Sequence, residues 1–170
     1  MKRPNRHEYA AYYHSYVDLV PHGDVLKIMK QQRDQFKKIL SKVSSKKSLF
    51  RYAPGKWCIR EVIGHIIDAE RVFSYRALRF ARNDKSDLPG FDENEYIRQS
   101  NYSGIKLKEL IEEFCSLRSS NIIMFKNFSE DFGLRTGTAN GNSFTVRAMA
   151  YIMTGHVNHH LKVLKDKYEL

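Results

Sequence analysis

Apolar residues recur every three or four positions in four long stretches of the chain, the period that turns one face of an α-helix toward a core. The first stretch opens after Asp24, a good N-cap residue. It places Val25, Met29, Phe36, Ile39, Leu40 and Val43 near one face before the polar run SSKKS ends it. The second follows Pro54-Gly55 and extends from about Trp57 to about Arg82, with Val62, Ile66, Ala69, Val72 and Phe73 among its apolar positions. The third follows Ser103 and repeats Leu107, Leu110, Ile111, Phe114, Leu117, Asn121, Met124 and Phe125. The fourth follows Ser143 and continues to about Lys167. No convincing alternating strand pattern, internal repeat or low-complexity tract accompanies them. The pattern therefore predicts an all-α fold, a four-helix bundle.

Two connections are long for a plain bundle, and long loops in compact domains often belong to a site or an interface. Between the second and third helices, NDKSDLPGFDENEYIRQSNYSG contains a Pro-Gly turn and a stretch, DENEYIRQ, able to form a short helix. Between the third and fourth, FSEDFGLRTGTANGNS reads as too rich in Gly and Asn to be helical. Residues 1–23, with Tyr9, Tyr12, Tyr13 and Tyr16, are expected to pack against the bundle.

A length of 170 residues suits a single domain spanning 1–170, large enough for one substantial core. The apolar share of 42% and charged share of 28% are those of a soluble protein, and no apolar run is long enough to cross a bilayer. The polar, Tyr-rich start MKRPNRHEYAAYYHSY lacks the apolar stretch of a secretory signal, so a cytoplasmic location is expected. Cys58 and Cys115 form neither a CxxC pair nor a disulfide framework. The net charge of +10 raises nucleic-acid binding, but the basic residues are spread over the chain and no nucleic-acid motif goes with them.

The histidines change the picture more than the charge does. His156 and His160 in GHVNHH lie four apart, so their rings stand one above the other on a single helix face. That face carries Met149, Ile152 and Val163, so it points inward, where a polar ring needs a partner to offset desolvation. His65 occupies a similar inward position on the second helix. Such rings from neighbouring helices can be satisfied core residues, or can meet on one ion in the bundle core. Three neutral imidazoles with an open fourth position describe a catalytic zinc geometry. His159, about 100° from its neighbours around the helix, reads as a rim or packing residue, and His7, His14 and His22 are weak ligand candidates.

Glu61 and Asp68 lie within a turn of His65 on either side. Each is an exposed acid or a group that orients a ligating ring, and Asp68 is the first choice as partner or general base. Arg76, Arg79 and Arg82 form a drifting stripe that reads most simply as a solvated face or as dimer salt bridges, and otherwise as an anion site. Tyr75, Tyr96, Asn140 and Arg147 are candidates to line the mouth of the site. Cys58 lies seven residues before His65, roughly 10 Å along the axis, too far to complete its coordination. Trp57 reads as a core anchor at the helix start.

At these residues the chain resembles the DinB/YfiT-like superfamily of bacterial four-helix metal proteins, in particular its DinB-like branch. The resemblance runs through KWCIREVIGHIIDAERVFSYRALRFARND, LPGFDENEY and TGTANGNSFTVRAMAYIMTGHVNHHLKVLKDKY. It implies that one histidine of the second helix and two, four apart, of the last helix hold a metal, positions that match His65, His156 and His160. It also implies a homodimer and an occupant such as zinc or nickel, both acceptable to imidazole. For activity it implies only a range: hydrolases, an isomerase, thiol S-transferases using bacillithiol or mycothiol. The expectation is a metal-dependent enzyme that activates water or a low-molecular-weight thiol. The alternative is a non-catalytic, metal-stabilised dimeric stress protein.

Overall fold

The computed structural model describes residues 1–170, and the four expected stretches are its four long helices. In chain order the helices are α1 (His14–Asp18), α2 (Val25–Leu40), α3 (Ile59–Ala81), α4 (Glu93–Gln99), α5 (Leu107–Lys126), α6 (Glu130–Leu134) and α7 (Val146–Tyr168). The side chain of Asp24 caps α2 by accepting from the amide of Leu26 at 3.1 Å. Asp92 caps α4 through the amides of Asn94 and Glu95, so DENEYIRQ does form a helix. None of the helices is long and apolar enough to cross a membrane.

The loop before α7 departs from expectation. Helix α6 lies inside it, capped by Ser129, and the glycine-rich part forms a hairpin of β1 (Thr136–Ala139) and β2 (Asn142–Thr145). Its two-residue turn places Asn140 at φ 50° and Gly141 at φ 69°. Left-handed values at both central residues suit the right-handed twist of the strands, and Asn-Gly tolerates them better than other pairs. The hairpin is small enough to leave the all-helical architecture intact, but it supplies one wall of the site.

The core is built in two clusters. One gathers Phe36, Leu40, Ile59, Ile63, Ile66, Phe114 and Leu164 from the four long helices. The other lies beyond it, where Phe73, Ala77 and Phe80 of α3 meet Met149, Ile152 and Met153 of α7 and the N-terminal Val17 and Val20. Helix α1 crosses α7 at Gly155, where a Cβ atom would stand 2.0 Å from the backbone oxygen of Tyr16. Only glycine allows that approach. Glu8 binds the N-terminal segment down further, accepting from Arg147 Nε at 2.7 Å and from Thr145 Oγ1 at 2.9 Å. Burial pushes the Glu8 carboxyl up, but the hydrogen bonds from Arg147, Asn5 and Thr145 outweigh it and hold its pKa at about 2.

A buried polar network ties the four long helices together. Arg118 of α5 grips Glu70 of α3 with two bonds, at 2.7 and 2.8 Å, and gives a third N–H to Gln32 of α2 at 2.5 Å. Asn121 donates to Glu70 at 2.9 Å, and Gln32 donates to the carbonyl of Thr154 and to Asn158 of α7. Both members of the ion pair are removed from solvent, with side-chain exposures of 0% and 1%. Such a pair adds little net stability over an apolar substitute, but it fixes which helix faces meet.

A three-histidine candidate site

His65 comes from the second turn of α3, His156 and His160 from the middle of α7, and these two helices make the most extensive pairing in the bundle. Nε2 of His156 lies 2.9 Å from Nε2 of His65 and 3.1 Å from Nε2 of His160. The candidate ligand atoms of the three all lie within 4.8 Å of one another. His65 and His156 are buried and His160 is half-buried. The structure thus brings together the three histidines singled out by their spacing.

Hydrogen bonding alone serves this cluster poorly. A neutral imidazole nitrogen is either a donor or a one-lone-pair acceptor, so Nε2 of His156 cannot form good bonds to both neighbours at once. A divalent ion would satisfy all three lone pairs together. Two imidazole nitrogens bound to one ion at about 2.1 Å each stand about 3.0 Å apart at a right angle and about 3.4 Å apart at the tetrahedral angle, so the observed 2.9 and 3.1 Å match the first and lie within about half an ångström of the second. The donor set therefore fits a metal such as zinc or nickel.

The electrostatics favour the same reading. Burial drives the pKa of His65 down to about 4 and that of His160 to about 2, with the neighbouring rings adding to the effect. Burial and the same crowding lower His156 well below its ordinary value. Rings held neutral are rings ready to coordinate. The sign of the pH dependence follows. In metal-free protein the unfolded chain takes up protons below about pH 6.5 that the folded rings refuse. Stability should therefore fall as the pH drops from 6.5, continuing toward about 4 for His65 and about 2 for His160. Each ring contributes up to ~1.4 kcal/mol per pH unit. Urea midpoints of chelated protein at pH 7 and pH 5 should differ accordingly, and equal midpoints would remove this account of the rings.

Around the cluster, aromatic rings set the orientation of the imidazoles. Trp57 packs on His65 with centroids 5.1 Å apart, and Tyr16 meets His156 edge-on at 5.6 Å. Trp57 thus does more than anchor a helix start, since it also covers His65. His159 packs against Tyr16 at 5.2 Å, a packing role as its position around the helix suggests. A cavity of about 290 Å³ runs from His65 and His156 outward between Phe73, Phe144, Phe91 and the tyrosines of the N-terminal segment.

Several neighbours fall elsewhere than their spacing suggests. Glu61 accepts from the Cys58 amide at 2.7 Å and pairs with Arg51, closing the N-terminal turn of α3, so it is a capping residue with no hydrogen bond to His65. Asp68 accepts from the Tyr102 hydroxyl at 2.6 Å, and no hydrogen bond joins it to any of the three rings. Of the four residues considered for the mouth, Asn140 lines the cavity. Tyr75 stands exposed beside Arg79, Tyr96 packs on Phe91, and Arg147 is spent on Glu8. The arginine stripe also divides: Arg79 pairs with Asp84 at the surface, whereas Arg76 is 4% exposed and lines the cavity. The N-terminal segment and the hairpin cover it, and neither cover is visible in the period of α3.

Fold and site together define a helical-bundle protein with an internal three-histidine cluster, two members of which line a cavity. The chain belongs to the DinB superfamily, whose sequence pattern matches residues 28–164. The fold is similar to that of YfiT from Bacillus subtilis, described as a probable metal-dependent hydrolase with an unusual four-helix bundle topology. The TM-score is 0.68 and the identity 13%, over 83% of each chain. It is also similar to a mycothiol-dependent maleylpyruvate isomerase, with a TM-score of 0.67 and 15% identity over 86% of this chain, which spans 62% of that one. No curated protein matches the sequence.

Proposed function

We propose that the chain is a metal-dependent enzyme in which His65, His156 and His160 hold one divalent ion, and water or a low-molecular-weight thiol attacks an electrophile seated in the cavity. The observation that carries this reading is the convergence of three neutral Nε2 atoms, two of them on residues, His65 and His156, that line that cavity. Three protein ligands leave a coordination position open, which separates a catalytic site from a structural one. When bound, the ion supplies Lewis acidity and lowers the pKa of a nucleophile beside it.

The chain's own residues do the rest. Phe73, Phe144 and the N-terminal tyrosines restrict water, which strengthens electrostatic interactions inside the cavity. Trp57 and Tyr16 hold two of the rings in position. Asp68 acts at one remove, as a positioning residue: it fixes Tyr102, whose ring lies where a Cβ of Gly64, the residue before His65, would be. The descriptions of the two structural neighbours are in keeping with hydrolysis or thiol chemistry, and the support for it here comes from the histidines.

The test is a panel of activated esters, and of bacillithiol, mycothiol and cysteine with a chloronitrobenzene acceptor, run on zinc- and nickel-loaded protein. Turnover that is lost both on chelation and in His156→Ala is expected. A fully loaded protein that is silent across the panel would instead favour an ion that only stabilises the bundle.

A further inference from the structure

The chain has three buried arginines, and two of them are fully engaged by protein. Arg118 donates from all three nitrogens to Glu70 and Gln32. Arg60 does the same to Ser48, Ser45 and the carbonyl of Ser103. Arg76 differs. Its Nη2 donates to the carbonyl of Pro89 at 2.7 Å, and the Tyr13 hydroxyl and the Phe73 ring stand beside it. Apart from the Pro89 carbonyl and the Tyr13 hydroxyl the guanidinium has no acceptor, and no carboxylate lies within ion-pair distance, Glu93 on the cavity rim included. No fully buried polar side-chain atom of the protein lacks a partner, so the part of the guanidinium without one is open to the cavity that Arg76 lines. Burial correspondingly lowers the pKa of this guanidinium.

Desolvating a cation without a counter-ion is costly, and a guanidinium is shaped to take a carboxylate through two parallel hydrogen bonds. Arg76 follows His65 by eleven residues on α3, which puts it within about 20° of the same face and roughly 16 Å further along the axis. The walls between them are aromatic: Phe73, Phe91, Phe144 and Tyr13.

We propose that Arg76 is the anion-binding residue of this cavity, and that the natural ligand is an apolar or aromatic carboxylate. Its carboxylate sits on the free edge of Arg76, and its other end points toward His65 and His156. The position of that reacting end rests on the function proposed above. The carboxylate contact needs no ion and can be tested without one.

The experiment is calorimetric titration of the full chain, stripped of metal with a chelator, with 3-phenylpropionate and with its uncharged isostere 3-phenylpropanamide. The wild type should prefer the acid by at least about tenfold, the worth of one charge-assisted hydrogen bond. Arg76→Gln should bind the two equally. Should that variant fail to fold, the Nε–H resonance of Arg76 in the wild type decides, shifting with the acid and not with the amide. Equal affinities in the wild type, no binding of either probe, or a preference that survives R76Q would overturn the proposal. So would binding of the acid only when zinc is restored, since the carboxylate would then be a ligand of the ion. The two readings fail separately. A protein without metal affinity can still show the acid preference, and a metal-binding protein can lack it.

Discussion

Zinc should raise the melting temperature of the chelated protein by roughly 10 °C, and that of His156→Ala by no more than about 5 °C. A ligand that binds only the folded state adds ~4 kcal/mol at a free concentration a thousandfold above its Kd. For a chain of this length each kcal/mol moves the midpoint by about 2–4 °C. His156 is the best single position to remove because its Nε2 touches both of the others, at 2.9 and 3.1 Å. Losing even a group that merely orients a ligand costs about 10–100-fold in affinity, so losing the central ligand should cost at least about 100-fold. The same replacement should leave the metal-free protein folded, because Nε2 of a neutral His156 cannot hydrogen-bond well to both neighbouring rings and so contributes little there. Thermal scans with and without zinc measure both. An equal gain in wild type and variant would place the ion elsewhere.

Glu70→Gln should be the most destabilising single substitution of a charged residue in the bundle. It leaves the Arg118 guanidinium buried at 0% side-chain exposure with no anion in reach. Removing one partner of a buried pair costs about 3–5 kcal/mol, a large part of a total of about 5–15. The double replacement Glu70→Met with Arg118→Leu should lose much less, because removing both charges also removes the desolvation they suffer. Urea denaturation of Glu70→Met, Arg118→Leu and the double gives the coupling directly. A Glu70→Gln protein within ~1 kcal/mol of wild type would mean that water reaches Arg118. Because the network also holds Thr154 and Asn158 of α7 through Gln32, Glu70→Gln should loosen the histidine cluster as well.

The long helices were legible because burial on one face leaves a period of 3.6, and the histidine triad because residues four apart share that face. His65, His156 and His160 thus converge as their spacing implies. The hairpin was not read from the sequence: its one signal is the Asn-Gly pair at 140 and 141, and four-residue strands such as TGTA and NSFT carry too little alternation to announce themselves. What periodicity could not give was which polar residue on a stripe has something lying over it. Arg76 and Arg79 are three apart on α3, yet Arg76 is enclosed by segments far away in the chain while Arg79 stays at the surface. In the same way Asp68 is claimed by Tyr102 and Glu70 by Arg118, 34 and 48 residues away. Local spacing places a side chain on a face, and only the fold decides its partner.

If three imidazoles share one ion, the metal content of the protein must depend on them. Elemental analysis of protein purified without a nickel column, alongside the triple variant His65→Ala, His156→Ala, His160→Ala, measures that dependence. The wild type should carry close to one divalent ion per folded chain and the triple variant none. The same metal content in both proteins would contradict it.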